Sequence, residues 1–359
     1  MISGCNEMVR TSKRPSLKDV ALLAGTSTAT ASRAISGKGY VSQETRVRIQ
    51  QAVQSLGYQP NLQARALRKR SSSTIGLVIP NLLNAYYTAL ADSLSQLLYD
   101  RGYHLLLAST RDEADIEQNM LSDMVGRAVD GLIWVPSAAS PELPNYLLER
   151  HIPAVAIVRR VPGDLLDAVV FEDYIGSQAA TRHLLELGHT RIGYIGGDVR
   201  YSSNYDRWQG FLHAMQEAGI PADERLVRLG STWSQWGEKA TSALLALDDP
   251  PTAIFVASNA IMPGVLKTLR QHHIQLPEEM SLVCFDDLDW FTFSQPSITA
   301  VTTDHLHFAE AAVELLMNRI QNPKAPGEPS VIIQINFELI VRQSTVAPRR
   351  HPLLEPTMT

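Results

Sequence analysis

The sequence of 359 residues has few of the features that mark secreted proteins or membrane proteins. It contains two cysteines, Cys5 and Cys284, which are too far apart in sequence to indicate a disulfide framework. No apolar run is long enough to span a bilayer, and the N-terminus lacks the apolar core of a signal peptide. We therefore expect a cytoplasmic chain without membrane attachment.

Catalytic and metal-binding patterns are also missing. The histidines never reach metal-ligand spacing with cysteine or acidic partners. No G-x-S-x-G elbow or P-loop occurs, and IGGDV falls short of a full G-x-G-x-x-G pattern. We expect neither an enzyme nor a metal site, and no cofactor.

Positive charge is scarce in most of the chain and concentrated at its start. Residues 1–75 contain 12 Lys/Arg and 3 Asp/Glu, a balance of 12 − 3 = +9, whereas the rest carries 20 and 34, a balance of −14. A basic end on an acidic body is expected where one part of a protein meets a polyanion. A solvated basic tail would give the same count.

The basic end is predicted to form a leader over residues 1–14 and then three short helices. N-cap and glycine signals place the helices between Ser16 and Gly25, Ser27 and Gly37, and Ser42 and Gly57. The predicted inward-facing residues are Leu17, Val20, Ala21 and Ala24 in the first helix, and Val47, Ile49, Val53 and Leu56 in the third. The tight joint at Gly25 gives the spacing of a helix-turn-helix.

In a helix-turn-helix the second helix enters the major groove, and its N-terminal residues reach the base edges. The candidate base contacts are Thr28, Ala29 and Arg33. Hydroxyls that could bind phosphates or cap the helix belong to Ser27, Thr30 and Ser32. A bundle of this size could equally be a protein-docking module.

The run SLKDVALLAGTSTATASRAISGKGYVSQETRVRIQQAVQSLGYQPNLQARALR resembles the DNA-binding head of LacI/GalR-type bacterial transcriptional regulators. The resemblance continues to about Arg342. It implies a homodimeric regulator, usually a repressor, that binds palindromic double-stranded operator DNA. A small metabolite would control the operator affinity. The alternative is a solute-binding or sensor protein without DNA function, against which the basic head argues.

The segment after the third helix is predicted to be a hinge. An isolated helix of about eight residues is marginal in water, so Asn61–Arg68 should fold only when a partner packs against it and neutralises it. The resemblance implies that two such helices pair in the minor groove, with Leu67 wedged into the central base step and Ala64 at the close approach. Further phosphate contacts would come from Arg65, Arg68, Lys69 and Arg70. Alternatively, Leu67 docks on the body.

From Thr74 onwards, short apolar strands alternate with amphipathic helices, which indicates parallel sheets covered on both faces. The crossing segment AVVFED separates two such series. We predict two Rossmann-like lobes, and the resemblance describes the same body as periplasmic-binding-protein-like. The fold class is therefore an all-α helix-turn-helix head plus an α/β two-lobed body.

The predicted domain boundaries follow from these patterns. The predicted segments are a leader 1–14, a head 15–60, a hinge and linker 61–73, a body 74–345 and a tail 346–359. Within the body, the predicted lobes are about 74–172 with 303–322, and 173–302 with 323–345. The tail contains prolines and no leucine heptad, which favours a dimer over a tetramer.

Open α/β sheets bind ligands at the carboxyl ends of their strands, between the two lobes in this case. The candidates found there are Asn84, Tyr86, Tyr87, Trp233, Ser258 and Asn259. Ser258 and Asn259 could instead cap a helix. Trp233 and its neighbour Trp236 could roof the cleft or pack on the surface.

The resemblance adds an arginine and a carboxylate that would grip effector oxygens, Arg207 and Asp286. A ligand-free Arg207–Asp286 bridge across the lobes is the alternative. Many relatives have Asp-Arg after the fourth strand, whereas this chain has Val158 and then Arg159, another candidate. Many also have aspartate in place of Asn259. The predicted effector is therefore carbohydrate-derived: a sugar, or, because two carboxylates are lost near arginines, a sugar acid or sugar phosphate.

Overall fold

The computed structural model describes residues 15–37, 39–59, 71–137, 141–325 and 327–349. The chain forms two compact units, Met1–Ser72 and Ser73–Thr359. The first unit contains the helical head and the second contains the α/β body.

The head consists of three helices, α1 (Leu17–Leu23), α2 (Thr28–Ser36) and α3 (Gln43–Leu56). The residue before each helix is a serine whose side chain accepts a hydrogen bond from a backbone N–H of the first turn. Ser16 and Asp19 also form a reciprocal capping box. Because these caps satisfy N–H groups that have no intrahelical partner, they fix where the helices begin.

The core of the head is built from small side chains. Its buried members are Val20, Ala21, Ala24, Ala31, Ile49 and Ala52. Alanines dominate this core, so the three helices can approach one another closely. The prediction that Val47 points inward is wrong, since 40% of its surface is exposed. Ile49 and Ala52 lie three residues apart on α3 and form its inward face instead.

The body contains two six-stranded sheets among its described residues. The first sheet comprises β1 (Thr74–Ile79), β2 (His104–Ser109), β3 (Gly131–Trp134), β4 (Ala154–Ile157), β5 (Asp167–Phe171) and β11 (Ile332–Ile335). The second comprises β6 (Ile192–Gly196), β7 (Val227–Leu229), β8 (Ala253–Val256), β9 (Ser281–Phe285), β10 (Thr299–Thr302) and β12 (Glu338–Ile340). The strand orders are β11-β5-β4-β3-β1-β2 and β12-β10-β9-β8-β6-β7. All pairings are parallel except that of β10 with β12.

Helices connect the strands and cover the sheets. They are α4 (Ala85–Asp100), α5 (Ala114–Gly126), α6 (Leu143–Glu149), α7 (Asp173–Glu186), α8 (Ser202–Glu217), α9 (Ser234–Leu245), α10 (Met262–Gln271), α11 (Asp289–Phe293) and α12 (His305–Gln321). Short 3-10 turns occur at Pro162–Asp164 and Glu224–Leu226. No helix in the part of the chain that is described is long and apolar enough to cross a bilayer.

The strands are apolar on both sides because helices cover both faces of each sheet. In β3, Ile133 belongs to the core on one face and Trp134 to the core on the other, and both are fully buried. This explains why the sequence shows continuous apolar runs rather than alternation. The helix α12 packs Phe308, Ala312 and Leu316 onto the first of these cores.

The chain crosses between the lobes three times, after β5, after β10 and after β11. The sequence prediction that residues 323–345 belong to the second lobe needs correction. Strand β11 pairs in parallel with β5 of the first sheet, and only β12 joins the second. Strand β11 follows α12, which packs on the core of the first sheet, and it pairs with the edge strand β5 of that sheet.

Candidate functional site

The helix α2 presents the residues predicted to read DNA. Thr28, Ala29 and Arg33 are exposed. Ser27 is also exposed, and its hydroxyl accepts a hydrogen bond from the Thr30 backbone N–H at 3.1 Å. This part of the head can therefore offer side chains to a groove while Ser27 caps the helix.

The other hydroxyls of α2 are less available. The Thr30 hydroxyl is hydrogen-bonded to that of Ser27 at 2.9 Å, and both Thr30 and Ser32 are half-buried. Tyr40 was not predicted from the sequence, yet it is 91% exposed between α2 and α3. The hinge residues Asn61, Ala64, Leu67 and Arg68 lie outside the described residues, and their roles stay predictions.

In the body, polar side chains at the carboxyl ends of both sheets meet around a small cavity. Its volume is about 30 Å³. We call it the inner cavity, and its lining residues are Pro80, Asn81, Asn84, Tyr86, Tyr87, Asp112, Val158, Arg159, Phe171, Ser203, Asn204, Arg207, Thr232, Ser258 and Asp286. Seven of the nine effector residues predicted from the sequence line the inner cavity, Arg207 among them. Asn259 and Trp233 do not line it.

Arg207, on the second turn of α8, is the central cation of this site and is almost fully buried. Its Nε donates to Asp173 at 2.7 Å and its Nη1 donates to the Ala257 carbonyl at 2.7 Å. Its Nη2 donates to Asp286 at a longer 3.4 Å, and the guanidinium lies over the ring of Phe285. The second lobe thus holds Arg207 in place before any ligand contact is made.

Asp286 follows β9 with a left-handed backbone, φ 68°. Its carboxylate accepts from Arg207 at 3.4 Å and from the Asn259 side-chain amide at 3.2 Å, both long hydrogen bonds. A carboxylate has about four acceptor positions, so Asp286 can still accept from ligand hydroxyls. Arg207 and Asn259 both lie in the second lobe, as Asp286 does. The Arg207–Asp286 ion pair therefore lies within one lobe and does not bridge the two.

Asp173 begins α7 and is 3% exposed. Burial raises the pKa of its carboxyl to about 7, against the opposing effect of the adjacent Arg207 guanidinium. The charge of the site therefore changes near neutral pH.

Arg159 is the first lobe's cation and is 4% exposed. It forms a two-pronged ion pair with Asp112, at 2.5 and 3.3 Å, and donates to the Pro136 carbonyl at 3.2 Å. Its guanidinium carbon lies 3.8 Å from the centre of the Tyr201 ring, which belongs to the second lobe. Next to it, the Arg160 backbone N–H donates to the Ser202 hydroxyl at 2.8 Å. These contacts, and not an Arg207–Asp286 bridge, connect the lobes.

The two tyrosines after β1 are part of the core. Tyr86 makes edge-to-face contacts with Tyr87, Phe171 and His305, at centroid distances of 5.6, 5.6 and 4.9 Å. Burial raises the pKa of Tyr87 to about 12. The Tyr86 hydroxyl is buried and has no hydrogen-bond partner among the described residues. The Tyr86 hydroxyl, rather than the buried faces of the two rings, is therefore the group that a ligand can contact.

The remaining candidates, Asn84, Ser258 and Asn259, make hydrogen bonds within the chain. The Asn84 side chain caps α4 by accepting from the Tyr86 backbone N–H at 3.0 Å. The Ser258 hydroxyl accepts from the Ala260 backbone N–H at 3.4 Å in the loop before α10, a helix without a side-chain cap, so of the two only Asn84 caps a helix at the edge of the cavity. Asn259 lies behind Asp286 and orients it.

The two tryptophans have different surroundings. Trp236 donates its ring N–H to the Gly196 carbonyl at 3.1 Å and packs onto Gly230, where a Cβ would come within 2.6 Å of the ring. It is a structural residue of the second lobe. Trp233 precedes α9 with 38% of its surface exposed.

Sequence reasoning missed Asp112, Asp173 and Tyr201. The two aspartates come two or three residues after the ends of β2 and β5, so the rule that ligand groups follow strand ends would have found them. Tyr201 gave no such signal, because its contact with Arg159 depends on how the lobes meet.

Comparison with known proteins identifies the family. The model of lacI-family bacterial regulatory proteins matches residues 16–61, and that of a periplasmic binding protein-like domain matches residues 181–345. The transcriptional repressor PurR of Actinobacillus pleuropneumoniae is 30% identical over 328 residues, covering 91% of this chain and 97% of that protein. The regulator GalR of Escherichia coli is 30% identical over 343 residues, covering 95% and 96%. The chain belongs to the lacI family.

Solved structures of transcriptional regulators share the fold of this chain. The regulator CelR in complex with cellobiose has a TM-score of 0.70 and 29% identity, covering 92% of this chain and 100% of that one. The lac repressor dimer bound to operator and the anti-inducer ONPF has a TM-score of 0.80 at 22% identity, covering 93% and 100%, which shows the shared fold. The predicted resemblance and fold class are confirmed. This LacI-family protein is a transcriptional regulator that binds DNA through its head and is controlled by a ligand of its body.

Proposed function

We propose that the protein is a homodimeric repressor of a palindromic operator, and that its effector is a neutral, hydroxyl-rich carbohydrate bound between the lobes. The observation that supports this effector class is the pairing of both cleft arginines with carboxylates of the chain itself. A ligand carboxylate or phosphate would bring a further negative charge next to these carboxylates, whereas a hydroxyl would not.

The charge count leads to the same class. The cleft contains two arginines and three aspartates, namely Arg159 and Arg207 with Asp112, Asp173 and Asp286. The formal charge is 2 − 3 = −1, or 2 − 2 = 0 when Asp173, with its pKa of about 7, is protonated. Neither state attracts an anion. Hydroxyls, in contrast, can donate to Asp286 and accept from unpaired N–H groups.

The same carboxylates offset the two departures of this chain from its relatives. Val158 and Asn259 stand where many relatives carry carboxylates, which favoured a sugar acid or sugar phosphate. Asp112 and Asp173 supply negative charge to the same two arginines from other strand ends. The neutral sugar therefore becomes the preferred member of the predicted set. One relative of the same fold, CelR, binds cellobiose, which is a neutral carbohydrate.

Regulation would act through the lobes. Asp286 and Arg159 belong to different lobes, so a ligand that contacts both changes the angle between the lobes. The lobes would rotate about the three segments in which the chain crosses between them. By linkage, operator DNA must change effector affinity by the same factor by which the effector changes operator affinity. That reciprocity is what distinguishes a regulator from a protein that merely carries two sites.

Two features support the homodimer. The lac repressor structure of the same fold is a dimer. Within the described residues, β2 is an edge strand of the first sheet, and its leucines, Leu105, Leu106 and Leu107, are only half-buried. An exposed apolar edge strand tends to pair with another chain, and a second copy of this chain would bury it.

The effector class is tested by calorimetric titration of the full-length protein with three matched ligands: a neutral sugar, the corresponding sugar acid and the corresponding sugar phosphate. We expect binding by neutral sugars, and little binding by either anion. Several sugar families have to be tried, because the stereochemistry is not fixed by the charge argument. Tight binding of only the acids or phosphates would refute the neutral class.

Operator binding is tested by selecting DNA fragments with the full-length protein, beside Leu67→Ala. We expect an enriched palindrome with a flexible central step for the wild type, and much weaker enrichment for the variant, because the wedge at that step is lost. Repeating the selection with the sugar that binds in calorimetry shows whether the ligand lowers or raises operator affinity. An enriched sequence without two-fold symmetry would contradict the dimeric mode of binding.

A further inference from the structure

The chain enters the body at Ser73, which is the last residue of the predicted linker and the first residue of the second compact unit. Upstream of Ser73 the chain leads to the DNA-binding head, and downstream it continues into β1 at Thr74. The backbone conformation of Ser73 therefore sets the direction in which the linker leaves the first lobe.

Ser73 has an unusual backbone conformation for a residue with a side chain. Its φ is 54°, in the left-handed region that glycine adopts readily and most other residues avoid. A serine keeps such a conformation only where the surrounding contacts hold it there. The neighbours of Ser73 should therefore show what fixes it.

The starts of β2 and β3 hold the backbone of Ser73 and Thr74. The His104 backbone N–H donates to the Ser73 carbonyl at 2.9 Å, and the Asp130 backbone N–H donates to the Thr74 carbonyl at 2.8 Å. These two bonds extend the pairing of β1 with its neighbouring strands. The Ser73 N–H is held differently, because it donates to the Asp130 carboxylate at 2.9 Å.

Asp130 is a fixed part of the first lobe. It lies directly before β3, between the buried residues Val129 and Gly131. Gly131 lies so close to α12 that an added Cβ would come within 3.0 Å of Leu316 and 3.3 Å of Ile320. A backbone packed in this way leaves Asp130 little freedom, so its carboxylate can hold the Ser73 N–H at one position.

The location of Asp130 excludes a role in the cleft. The inner cavity lies at the carboxyl ends of the strands, whereas Asp130 precedes β3 and so lies at the opposite edge of the first sheet. Asp130 is not among the residues that line the inner cavity. Its side chain faces the point at which the chain enters the body.

The helix α12 connects that edge of the sheet with the cleft. Its first residue, His305, contacts Tyr86 of the inner cavity at a centroid distance of 4.9 Å. Leu316, about three turns further along, packs against Gly131. A movement of α12 that begins at the cleft therefore reaches the residue next to Asp130.

We propose that Asp130 is a positioning residue for operator binding. Its carboxylate keeps Ser73 left-handed and thereby fixes the direction in which the linker leaves the first lobe. In a dimer, fixed directions present the two heads at one separation, which selects one spacing of the operator half-sites. The part about spacing rests on the proposed function, because it requires a dimer on a palindrome.

The test is titration of the full-length protein and its variants with the DNA sequence that the wild type itself enriches. Asp130→Ala should lower the affinity about tenfold, because Ser73 can then leave the left-handed region. Asp130→Asn keeps an oxygen that accepts from the Ser73 N–H, so its affinity should stay within about threefold of the wild type. Asp123→Ala is the matched control, since it removes the same charge from an exposed position on α5 and should not weaken DNA binding.

The spacing of the half-sites distinguishes a positioning role from a loss of stability. Each variant is also titrated with the selected site lengthened or shortened by one base pair at its centre. The wild type should strongly prefer its own spacing, and Asp130→Ala should bind the three sites with more similar affinities. A loss of stability alone would lower the affinity for all three sites by the same factor, and thermal unfolding measures it directly.

Ser73→Pro removes the same hydrogen bond from the other side, because proline has no N–H and its φ is fixed at about −65°. It should reproduce both the loss of affinity and the weaker preference for spacing, and it keeps the test decisive if Asp130→Ala does not fold. The double variant should bind no more weakly than the weaker single variant, since both changes break one contact.

The outcomes separate this proposal from the proposed function. Wild-type affinity in Asp130→Ala and Ser73→Pro would overturn the positioning role, and so would equal losses in Asp130→Ala and Asp130→Asn. A selected sequence without two-fold symmetry would contradict the dimer on a palindrome instead. The tenfold loss in Asp130→Ala and its recovery in Asp130→Asn would then decide on Asp130 by themselves.

Discussion

The guanidinium of Arg159 lies 3.8 Å from the centre of the Tyr201 ring, and this contact joins the first lobe of the body to the second. Arg160 adds a hydrogen bond from its backbone to Ser202 and an ion pair with Asp206 at 3.3 Å. The Arg160–Asp206 pair is more than a third exposed on the arginine side, so it contributes little by itself. Arg159 is buried, and its contact with Tyr201 is the stronger candidate for holding the lobes together.

A double-mutant cycle measures that contact. Arg159→Lys keeps the charge but loses the planar group that stacks and pairs with Asp112, and Tyr201→Leu keeps an apolar side chain without the ring. We expect the two changes to be non-additive by about 0.5–1 kcal/mol in the free energy of unfolding from urea titration. Additive effects would mean that the stack contributes nothing to the joining of the lobes.

Arg33 projects from α2 as an exposed cation and is the strongest candidate for a base contact in the head. Arg33→Ala should weaken operator binding by about 1–3 kcal/mol and relax the preference at one base position of each half-site. Arg48→Ala is the matched control, because it removes the same charge from an exposed position on α3. The measurement is DNA selection and titration at several salt concentrations. Loss of affinity without any change in base preference would assign Arg33 to the phosphates.

Ser27 combines two roles that a pair of substitutions can separate. Its hydroxyl accepts from the Thr30 N–H, so Ser27→Ala should lower the stability of the head by about 1 kcal/mol. Ser27→Asp keeps a capping acceptor, and it should leave stability near the wild-type value while weakening DNA binding, because a carboxylate repels phosphates. Thermal unfolding and DNA titration of both variants give the two quantities. If Ser27→Asp binds operator normally, Ser27 does not lie near the DNA backbone.

Local signals in the sequence predict the head and most of the strands. The caps at Ser16, Ser27 and Ser42 are formed as expected, because a serine before an apolar period acts within a single turn. The position of β11 was not predictable in the same way. Its four residues carry no information about which sheet they join, since both sheets offered an edge strand for pairing.

The charges of the site depend on tertiary structure in the same way. Arg207 and Asp286 were found through their positions after strands and in the second helix of the second lobe, as the resemblance implied. The carboxylate that pairs with Arg159 is brought in by a loop in which both Arg111 and Asp112 have left-handed backbones, with φ of 57° and 58°. The position of Asp112 three residues after β2 makes it a candidate, but the sequence does not show that this loop turns it towards Arg159, so the cleft looked more cationic from the sequence than it is.

Asp173 should make the stability of the body depend on pH near neutrality. Burial raises the pKa of its carboxyl from the ordinary 3.8 to about 7 in the folded state, although Arg207 opposes the shift. Between these two values the folded protein binds more protons at this position than the unfolded chain does. Because stability rises with pH only where the unfolded state binds more protons, the contribution of Asp173 must fall as pH rises from about 4 to about 7, and stay constant above that.

The variant Asp173→Asn removes this titration while keeping an oxygen that can accept from Arg207. Below pH ~4 the variant and the wild type should have similar free energies of unfolding, because the wild-type carboxyl is protonated in both states. Above pH ~7 the variant should be the more stable of the two, by at most ~4 kcal/mol, since each unit of pKa shift corresponds to ~1.4 kcal/mol. Urea titrations at several pH values measure the difference, and other titrating groups cancel in it. A variant that loses stability relative to the wild type as pH rises would show instead that the Arg207 ion pair keeps Asp173 ionised in the folded protein.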